Sequence, residues 1–181
     1  MSSPASTASG SDPSLRRLRV VFNAVDLALY RRVRSLAHAP ERVRWARRYS
    51  RLGEHGAVWL GIGLLGAAGD AQRRGRWVRA TVCVGGAYVL STSIKLAIGR
   101  RRPLVEDLPH LMATPTGLSF PSSHSTSSFA AAQAFGRLLP RGPLLGAAAA
   151  MAFSRLYLGV HYPSDIAAGV ALGSVLGTLG R

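Results

Sequence analysis

The sequence predicts an all-α fold, an integral-membrane helical bundle with about five spanning helices plus an N-terminal amphipathic interfacial helix. Hydrophobic residues make up 48% of the 181 residues, yet the formal net charge is +15. The charge is not spread evenly, because long apolar stretches alternate with short arginine clusters, as in membrane helices with basic flanks. No nucleic-acid partner is expected, since the apolar runs are too long for a basic arm and no aromatic residues interleave with the arginines.

The region ahead of the apolar runs divides into two parts. Residues 1–14 are mostly small or polar, a composition typical of a disordered tail. Residues 15–52 form a basic amphipathic interfacial segment. Its first part, residues 15–38, repeats apolar side chains at helical spacing and carries arginines on the other face, so we expect it to lie on the membrane surface. Residues 53–181 are expected to form the membrane-embedded domain.

Five apolar runs in residues 53–181 predict the spanning helices. They cover about residues 57–69, 78–99, 122–139, 143–160 and 165–179. Several are shorter than the ~20 apolar residues that a crossing usually needs. They are also rich in Ala and Gly, which allows close helix packing, so the sequence predicts a small, tight bundle. The single cysteine, Cys83, excludes a disulfide within the chain and a cysteine-based metal site.

Three clusters of polar residues stand at the ends of these runs. In chain order they are Lys95 with Arg102-Pro103 after six intervening residues, then Pro121-Ser122-Ser123-His124, and then Ser154-Arg155 with His161 after five intervening residues and Asp165 after three more. Successive spanning helices alternate in direction, so the clusters are expected to meet at one membrane face. Charged groups near lipid are costly and are retained mainly for function.

Three cations and two histidines at one point indicate chemistry on a phosphate. Arginine binds phosphate in fork geometry and lysine binds it as a point charge. One histidine can attack phosphorus while the other protonates the leaving oxygen. Asp165 can orient the nucleophilic ring through its second nitrogen. No metal and no cofactor are expected, because the three cations offset the charge that develops on the phosphate.

The three clusters resemble the signature motifs of the type 2 phosphatidic acid phosphatase family, which also includes vanadium haloperoxidases. The spacing agrees in all three, over about residues 95–165. The resemblance implies a phosphohistidine intermediate, with His161 as nucleophile, Asp165 as its partner and His124 as general acid. It also implies a phosphate site made by Lys95, Arg102, Ser122, Ser123, Arg155 and neighbouring backbone N–H groups. The family usually has Gly where this chain has Ser123, and we expect activity to survive this difference with a changed phosphate pocket.

Two flanking stretches indicate the substrate. Residues 53–55 and 114–122 resemble an actinobacterial subgroup of phosphatases acting on decaprenylphosphoryl-5-phosphoribose, a polyprenyl lipid that feeds arabinan synthesis for the cell wall. Undecaprenyl pyrophosphate, phosphatidylglycerol phosphate and phosphatidic acid stay open as substrates, and so does a non-catalytic membrane protein on the same fold. A haloperoxidase is disfavoured by the apolar runs. Glu54 and His55 are expected to be solvated at a helix end, with contacts to the substrate head group as the alternative.

The distribution of arginines bears on the membrane topology. We expect a multi-pass protein of the cell (inner) membrane that meets a lipid-phosphate substrate and membrane lipids, and a homo-oligomer is compatible with the sequence. Eleven arginines precede the first apolar run and would share the face of the site, against seven on the opposite face. The positive-inside rule then favours a cytoplasmic site. Arg100 and Arg101 are expected to be solvated or to face lipid head groups.

Overall fold

The structure, a computed structural model, describes residues 13–36 and 39–181. Seven α-helices form this part of the chain: α1 (Pro13–Arg34), α2 (Pro40–Leu52), α3 (Ala57–Gly69), α4 (Arg74–Ile98), α5 (Ser123–Ala134), α6 (Arg141–Tyr157) and α7 (Pro163–Thr178). The described residues contain no strand, only an isolated antiparallel bridge between Arg101 and Leu118. Of the expected tail, residues 1–12 lie outside the described residues, while Pro13 and Ser14 already belong to α1.

Helix α5 lies at the centre of the bundle. It packs against α4, α6 and α7, and nearly all of its side chains are buried. Its contact with α7 is backbone to backbone, because α7 has a glycine at every fourth position, Gly169, Gly173 and Gly177. A Cβ atom at Gly173 would lie only 2.2 Å from the carbonyl oxygen of Thr126. Small residues therefore set the distance between these two helices.

Three aromatic side chains pack α3 and α4 against the central helix α5 and the turn that follows it. Trp77 of α4 lies against Phe135, which follows α5, with ring centroids 5.6 Å apart. Trp59 of α3 donates a hydrogen bond of 2.9 Å from Nε1 to the Ser128 hydroxyl of α5. All three rings are buried, and both tryptophan N–H groups are hydrogen-bonded. These contacts hold α3 and α4 against the central helix.

The outer surface of the bundle is apolar. Leu65 on α3, Val82 and Leu96 on α4, and Val175 on α7 are all more than 60% exposed. Within the described residues, one segment, Ala71–Ile98, is long and apolar enough to cross a membrane by itself. The other helices of the bundle have 12 to 17 residues. An apolar exterior of this kind suits contact with lipid.

Helix α1 contacts the bundle through its polar side chains. Asp26, Tyr30 and Arg34 follow one another at four-residue spacing and are buried, whereas Val25 and Leu29 are about half exposed. The chain thus presents the polar stripe of an amphipathic helix inward and the apolar stripe outward. Helix α2, which follows, buries Val43 and Ser50. This orientation brings α1 against the loops that carry the polar clusters.

Candidate active site

The three polar clusters meet around one cavity of about 130 Å³. They come from the end of α4, the loop after it, the start of α5, the end of α6 and the turn before α7. Local sequence sets these ends, since Gly99 adopts a left-handed φ of +67° after α4, Ser122 caps α5 and Pro163 begins α7. Of the residues predicted from the sequence, those that line the cavity are Lys95, Arg102, Ser123, His124, Arg155, His161, Glu54 and His55.

Lys95 and Arg102 form one wall of the cavity and are anchored to backbone carbonyls. The Lys95 ammonium donates to the carbonyls of Ser119 (3.1 Å) and Pro121 (2.7 Å). The Arg102 guanidinium donates to Thr116 O at 2.9 Å and Val160 O at 2.6 Å. Burial lowers the pKa of Arg102 to about 10, so this side chain is still a cation at neutral pH.

Arg155 and Ser123 also line the cavity, and each has a hydrogen-bond donor without a protein partner. Arg155 is 2% exposed and donates from one terminal nitrogen to the Ser50 hydroxyl and to Met112 Sδ. Its Nε and the Ser123 hydroxyl are buried without a hydrogen-bond partner among the described residues. Unpaired buried donors are costly. Two of them beside the same cavity fit a bound anion that would accept both.

His161 lines the same cavity and lies in the turn that joins α6 to α7. Its Nε2 is 3.2 Å from an Arg102 nitrogen, and its Nδ1 is 3.4 Å from Oδ2 of Asp165. Asp165 is fully buried in the first turn of α7, where it accepts the Tyr162 N–H at 2.8 Å. Burial and the positive charges of Arg102, Arg155 and Lys95 hold the pKa of His161 well below its usual range. The ring is therefore neutral at neutral pH.

The model of the PAP2 superfamily matches residues 76–180, which include every residue of the three clusters. The chain belongs to the PAP2 superfamily. It is 42% identical over 147 residues to the decaprenylphosphoryl-5-phosphoribose phosphatase of Mycobacterium tuberculosis, across 80% of this chain and 82% of the relative. As a PAP2 chain related over most of its length to a phosphatase, it is a phosphoric monoester hydrolase.

Two solved structures share this PAP2 fold. Aquifex aeolicus LpxE superposes with a TM-score of 0.74 at 24% identity, over 86% of this chain and 94% of that chain. A transmembrane PAP2-type phosphatidylglycerolphosphate phosphatase from Bacillus subtilis gives the same TM-score and identity, over 88% of this chain and 84% of that chain. The described part of the chain is thus an all-helical bundle of the kind found in transmembrane PAP2 proteins.

Two of the predicted PAP2 site residues take positions that the sequence did not specify. The Ser122 side chain does not line the cavity, because its Oγ caps α5 and accepts from the N–H (3.4 Å) and the hydroxyl (3.1 Å) of Ser125. His124 lines the cavity, and its Nε2 lies 3.2 Å from Ser50 O. A carbonyl only accepts, so Nε2 carries the proton of that hydrogen bond and Nδ1 is the nitrogen left for other chemistry.

The prediction that Arg100 is solvated or faces lipid head groups is wrong. Its guanidinium pairs with Asp165 at 2.9 Å on one arm and with Asp26 of α1 at 2.7 Å on the other, and its side chain is 24% exposed. Arg101 is exposed, as expected. Asp26 was not identified from the sequence. It is the only acidic residue within α1, and this isolation among basic and apolar residues could have indicated a specific partner.

Proposed function

We propose that this chain is a membrane lipid phosphate phosphatase that forms a phosphohistidine on His161. The observation that supports this most directly is the placement of the His161 ring. One nitrogen adjoins the cation-lined cavity beside Arg102, and the other lies next to the buried carboxylate of Asp165. A phosphate held in this cavity would meet a neutral imidazole nitrogen, and the protein would supply three cations around it.

The reaction has two displacement steps. Nε2 of His161 forms a bond to phosphorus while the bond from phosphorus to the leaving oxygen breaks. His124 enters this step as an imidazolium, keeps its Nε2 proton on Ser50 O and donates its Nδ1 proton to the leaving oxygen. Asp165 stabilises the positive charge that develops on His161. Water then attacks the phosphohistidine, His124 accepts its proton, and the nitrogen–phosphorus bond breaks to release inorganic phosphate. Lys95, Arg102 and Arg155 offset the equatorial charge in both steps.

The proposed reaction needs no metal ion. The cations that would neutralise the phosphate are side chains, and no group of three His, Cys, Asp or Glu residues in the described part of the chain could hold a metal. Turnover is therefore expected to continue in EDTA. Vanadate should inhibit, because it adopts the five-coordinate geometry of the transition state. Loss of turnover in EDTA with recovery on adding magnesium would contradict this.

The substrate we propose is decaprenylphosphoryl-5-phosphoribose, an intermediate of cell-wall arabinan synthesis. The mycobacterial relative carries this name, and the space beside the catalytic cavity suits the head group. A basin of about 710 Å³ adjoins the cavity and shares Glu54, Ala113 and Pro115 with its lining. Arg47 and Arg51 also line the basin. They provide charge for the second phosphate, which links ribose to the lipid and which phosphatidic acid lacks.

Glu54 and His55 are proposed to contact the ribose. Both line the catalytic cavity at the turn before α3, where His55 has a φ of +54° and its Nδ1 lies 2.7 Å from the Tyr88 hydroxyl. A left-handed conformation is unusual for histidine, and strain of this kind is often kept at functional sites. The carboxylate of Glu54 can accept hydrogen bonds from sugar hydroxyls.

For the membrane, we propose that α3 to α7 form the embedded domain and that α1 and α2 lie at its surface, with the site on the cytoplasmic face of the cell membrane. Exposed apolar side chains on α3, α4 and α7 and the fold shared with transmembrane phosphatases support this arrangement. The tight contact of α5 with α7 lets short helices bury their polar backbones inside the bundle.

Phosphate release by purified protein in detergent tests the proposal. The substrates would be decaprenylphosphoryl-5-phosphoribose, undecaprenyl pyrophosphate, phosphatidylglycerol phosphate and phosphatidic acid, each with wild type and His161→Ala. We expect the phosphoribosyl lipid to give the highest kcat/KM and His161→Ala to be inactive on all four. A quench in alkaline detergent should trap labelled phosphate on wild type alone, because the nitrogen–phosphorus bond of phosphohistidine is stable in base and labile in acid. Phosphate release by His161→Ala at the wild-type rate would exclude this nucleophile.

A further inference from the structure

The buried stripe of α1 contacts the segment that carries His161. This segment, residues 157–164, is hereafter called the His161 segment. Tyr30 donates its hydroxyl to Gly159 O at 3.2 Å, and Arg34 donates to Tyr157 O at 3.1 Å. Gly159 has a φ of +76°, and a Cβ atom there would lie 2.9 Å from Arg34 Nε. Helix α1 therefore lies directly on the turn that presents the proposed nucleophile.

Asp26 is the member of this stripe nearest to the catalytic carboxylate. It is 3% exposed, accepts the Ser164 N–H at 2.9 Å and also accepts the Ser164 hydroxyl. Its other strong partner is Arg100, at 2.7 Å. One guanidinium arm of Arg100 thus contacts Asp26, while the other donates 2.9 Å to Oδ1 of Asp165 and 2.6 Å to the Ser164 hydroxyl. The Arg100 guanidinium also stacks 4.2 Å above the Tyr162 ring.

We propose that Asp26 is a positioning residue for the reaction, acting through Arg100 on Asp165 and so on the orientation of His161. The proposal rests on the proposed function, because it takes His161 as the nucleophile. Asp26 lies outside residues 76–180, the part matched by the superfamily model. On this proposal the N-terminal helix of the chain supplies part of the support for an active site whose reacting groups all lie further along the chain.

The charge balance explains why a carboxylate is needed at position 26. Arg100 has two arms and two anionic partners, so each partner limits how far the guanidinium can move toward the other. With Asp26 neutral, Arg100 would have Asp165 as its single charged partner and would be free to shift toward it. The 3.4 Å contact between Asp165 Oδ2 and His161 Nδ1 is already long for a hydrogen bond, so a small shift of the carboxylate would release the ring. Misplacement by about 1 Å can lower a rate by roughly a hundredfold.

A purely structural role for Asp26, as one of several ties between α1 and the bundle, is the competing explanation. The chain offers a matched control, because a second ion pair also joins α1 to the bundle. Arg31 pairs with Asp107 at 2.8 Å, and both side chains are at least half exposed. This pair does not contact Asp165 or the His161 segment. Asp107→Asn therefore removes one carboxylate partner of α1 without touching the proposed support of the nucleophile.

The experiment compares kcat and KM for wild type, Asp26→Asn, Asp26→Glu and Asp107→Asn, purified in detergent, with inorganic phosphate release as the readout. We expect Asp26→Asn to lower kcat by between about tenfold and a hundredfold while KM changes little, since the phosphate-binding cations are untouched. Asp26→Glu restores the charge and should recover part of kcat. Asp107→Asn should match wild type. Wild-type kcat in Asp26→Asn, or an equal loss in Asp107→Asn, would overturn the proposal.

Two further variants keep the outcome interpretable. If Asp26→Asn does not purify as a folded protein, Arg100→Lys replaces it, because lysine keeps the charge but lacks the two-armed guanidinium. The same loss of kcat is expected, and wild-type kcat would reject the proposal. His161→Ala is measured in parallel. Activity in His161→Ala would contradict the proposed function, whereas an inactive His161→Ala beside a fully active Asp26→Asn would contradict the positioning role alone.

Discussion

Three buried polar atoms around the cavity have no hydrogen-bond partner among the described residues, namely Arg155 Nε, His161 Nδ1 and the Ser123 hydroxyl. Ser123 is the one that distinguishes this chain from the usual family pattern. Its hydroxyl is buried, lines the cavity and has no hydrogen-bond partner in the described part of the chain. An unsatisfied buried hydroxyl costs about 1–3 kcal/mol of folding free energy, whereas a hydrogen bond to a charged group contributes about 1.5–3 kcal/mol. Ser123 is thus expected to reduce stability in the empty enzyme and to strengthen phosphate binding.

Ser123→Ala separates these two effects. The melting temperature of the free enzyme should stay the same or rise, because an unpaired polar group is removed from the interior. The inhibition constant of inorganic phosphate should rise about tenfold, which corresponds to roughly 1.4 kcal/mol. Thermal unfolding and product inhibition measure the two quantities on the same preparation. A lower melting temperature together with an unchanged inhibition constant would show that the hydroxyl is structural.

The charges around His161 predict the pH dependence of activity. The nucleophile must be neutral, so kcat/KM falls as pH drops through the pKa of His161 in the folded free enzyme. Burial and neighbouring cations hold that pKa well below the usual value of about 6.5. The acid limb of the profile should therefore lie below about pH 6.5. The charged or titratable groups that face the ring are Lys95, Arg102, His124, Arg155 and Asp165.

Arg102→Gln tests which charge acts most on His161, since among the charges Arg102 lowers the pKa of His161 the most. Removing it should raise that pKa and move the acid limb of kcat/KM to higher pH, beside a general loss of phosphate binding. The profile is measured at substrate concentrations below KM. A limb that stays in place or moves to lower pH would mean that another group controls it.

At the scale of the elements, the packing of α5 on α7 depends on glycine. A methyl group at Gly173 would lie 2.2 Å from a backbone oxygen of α5, so the helices would have to separate. We expect Gly173→Ala to destabilise the protein by about 1–3 kcal/mol, the usual cost of overpacking. Because α5 carries His124 and α7 carries Asp165, kcat should fall as well.

Gly86→Ala is the matched control for that prediction. Gly86 also lies inside a helix, α4, and a Cβ atom there would meet nothing within 4 Å. Alanine has the higher helix propensity, so this variant should be as stable as wild type or more stable, by up to about 1 kcal/mol. Thermal unfolding in one detergent compares the two variants. Equal melting temperatures for Gly173→Ala and wild type would show that the helices tolerate the wider spacing.

The elements also show which features the sequence could predict. Residues 57–69 form α3 as predicted, and the runs that became α4 to α7 were placed within a few residues, because apolar runs are bounded by local signals such as Gly99 and Pro163. The gathering of the three clusters was predictable, since alternating helices return their ends to one side. The ion pair between Asp26 and Arg100 could not be predicted. The two residues are 74 positions apart, and from the sequence each is expected to be an ordinary surface charge.

At the scale of the whole molecule, the polar face of α1 makes contacts with the active-site region that the apolar runs do not predict. Residues 15–38 were expected to lie on the membrane surface; residues 37 and 38 lie outside the described residues, and Val25 and Leu29 of α1 are about half exposed. However, its inward face is also attached to the His161 segment by buried hydrogen bonds. Because α1 supports the segment that carries the proposed nucleophile, activity is expected to depend on residues far ahead of the three motifs.

The same arrangement bears on which side of the membrane the site faces. Helix α1 contacts the His161 segment through Arg34 and the loop before α5 through Arg31 and Arg34, so these two arginines lie on the side of the site. Eleven arginines precede α3, against seven near the other ends of the helices, counting Arg73, Arg74, Arg76, Arg79, Arg137, Arg141 and Arg181. Basic residues stay preferentially in the cytoplasm. We therefore predict a cytoplasmic site, where a lipid built from a cytosolic sugar phosphate would be available.

Cysteine labelling in intact cells tests this prediction. In a Cys83→Ala background, one cysteine replaces Glu106, which is exposed beside the Arg31 to Asp107 pair, and another replaces Gly142, which is exposed at the far end of α6. The two positions lie at opposite ends of the bundle, since the 17 residues of α6 separate Gly142 from the site by roughly 20 Å. An impermeant maleimide should label Gly142→Cys in intact cells and should label Glu106→Cys only after permeabilisation. The reverse pattern would place the site outside the cell, and it would mean that the arginines of α1 and α2 are held there by their contacts with the bundle against the positive-inside preference.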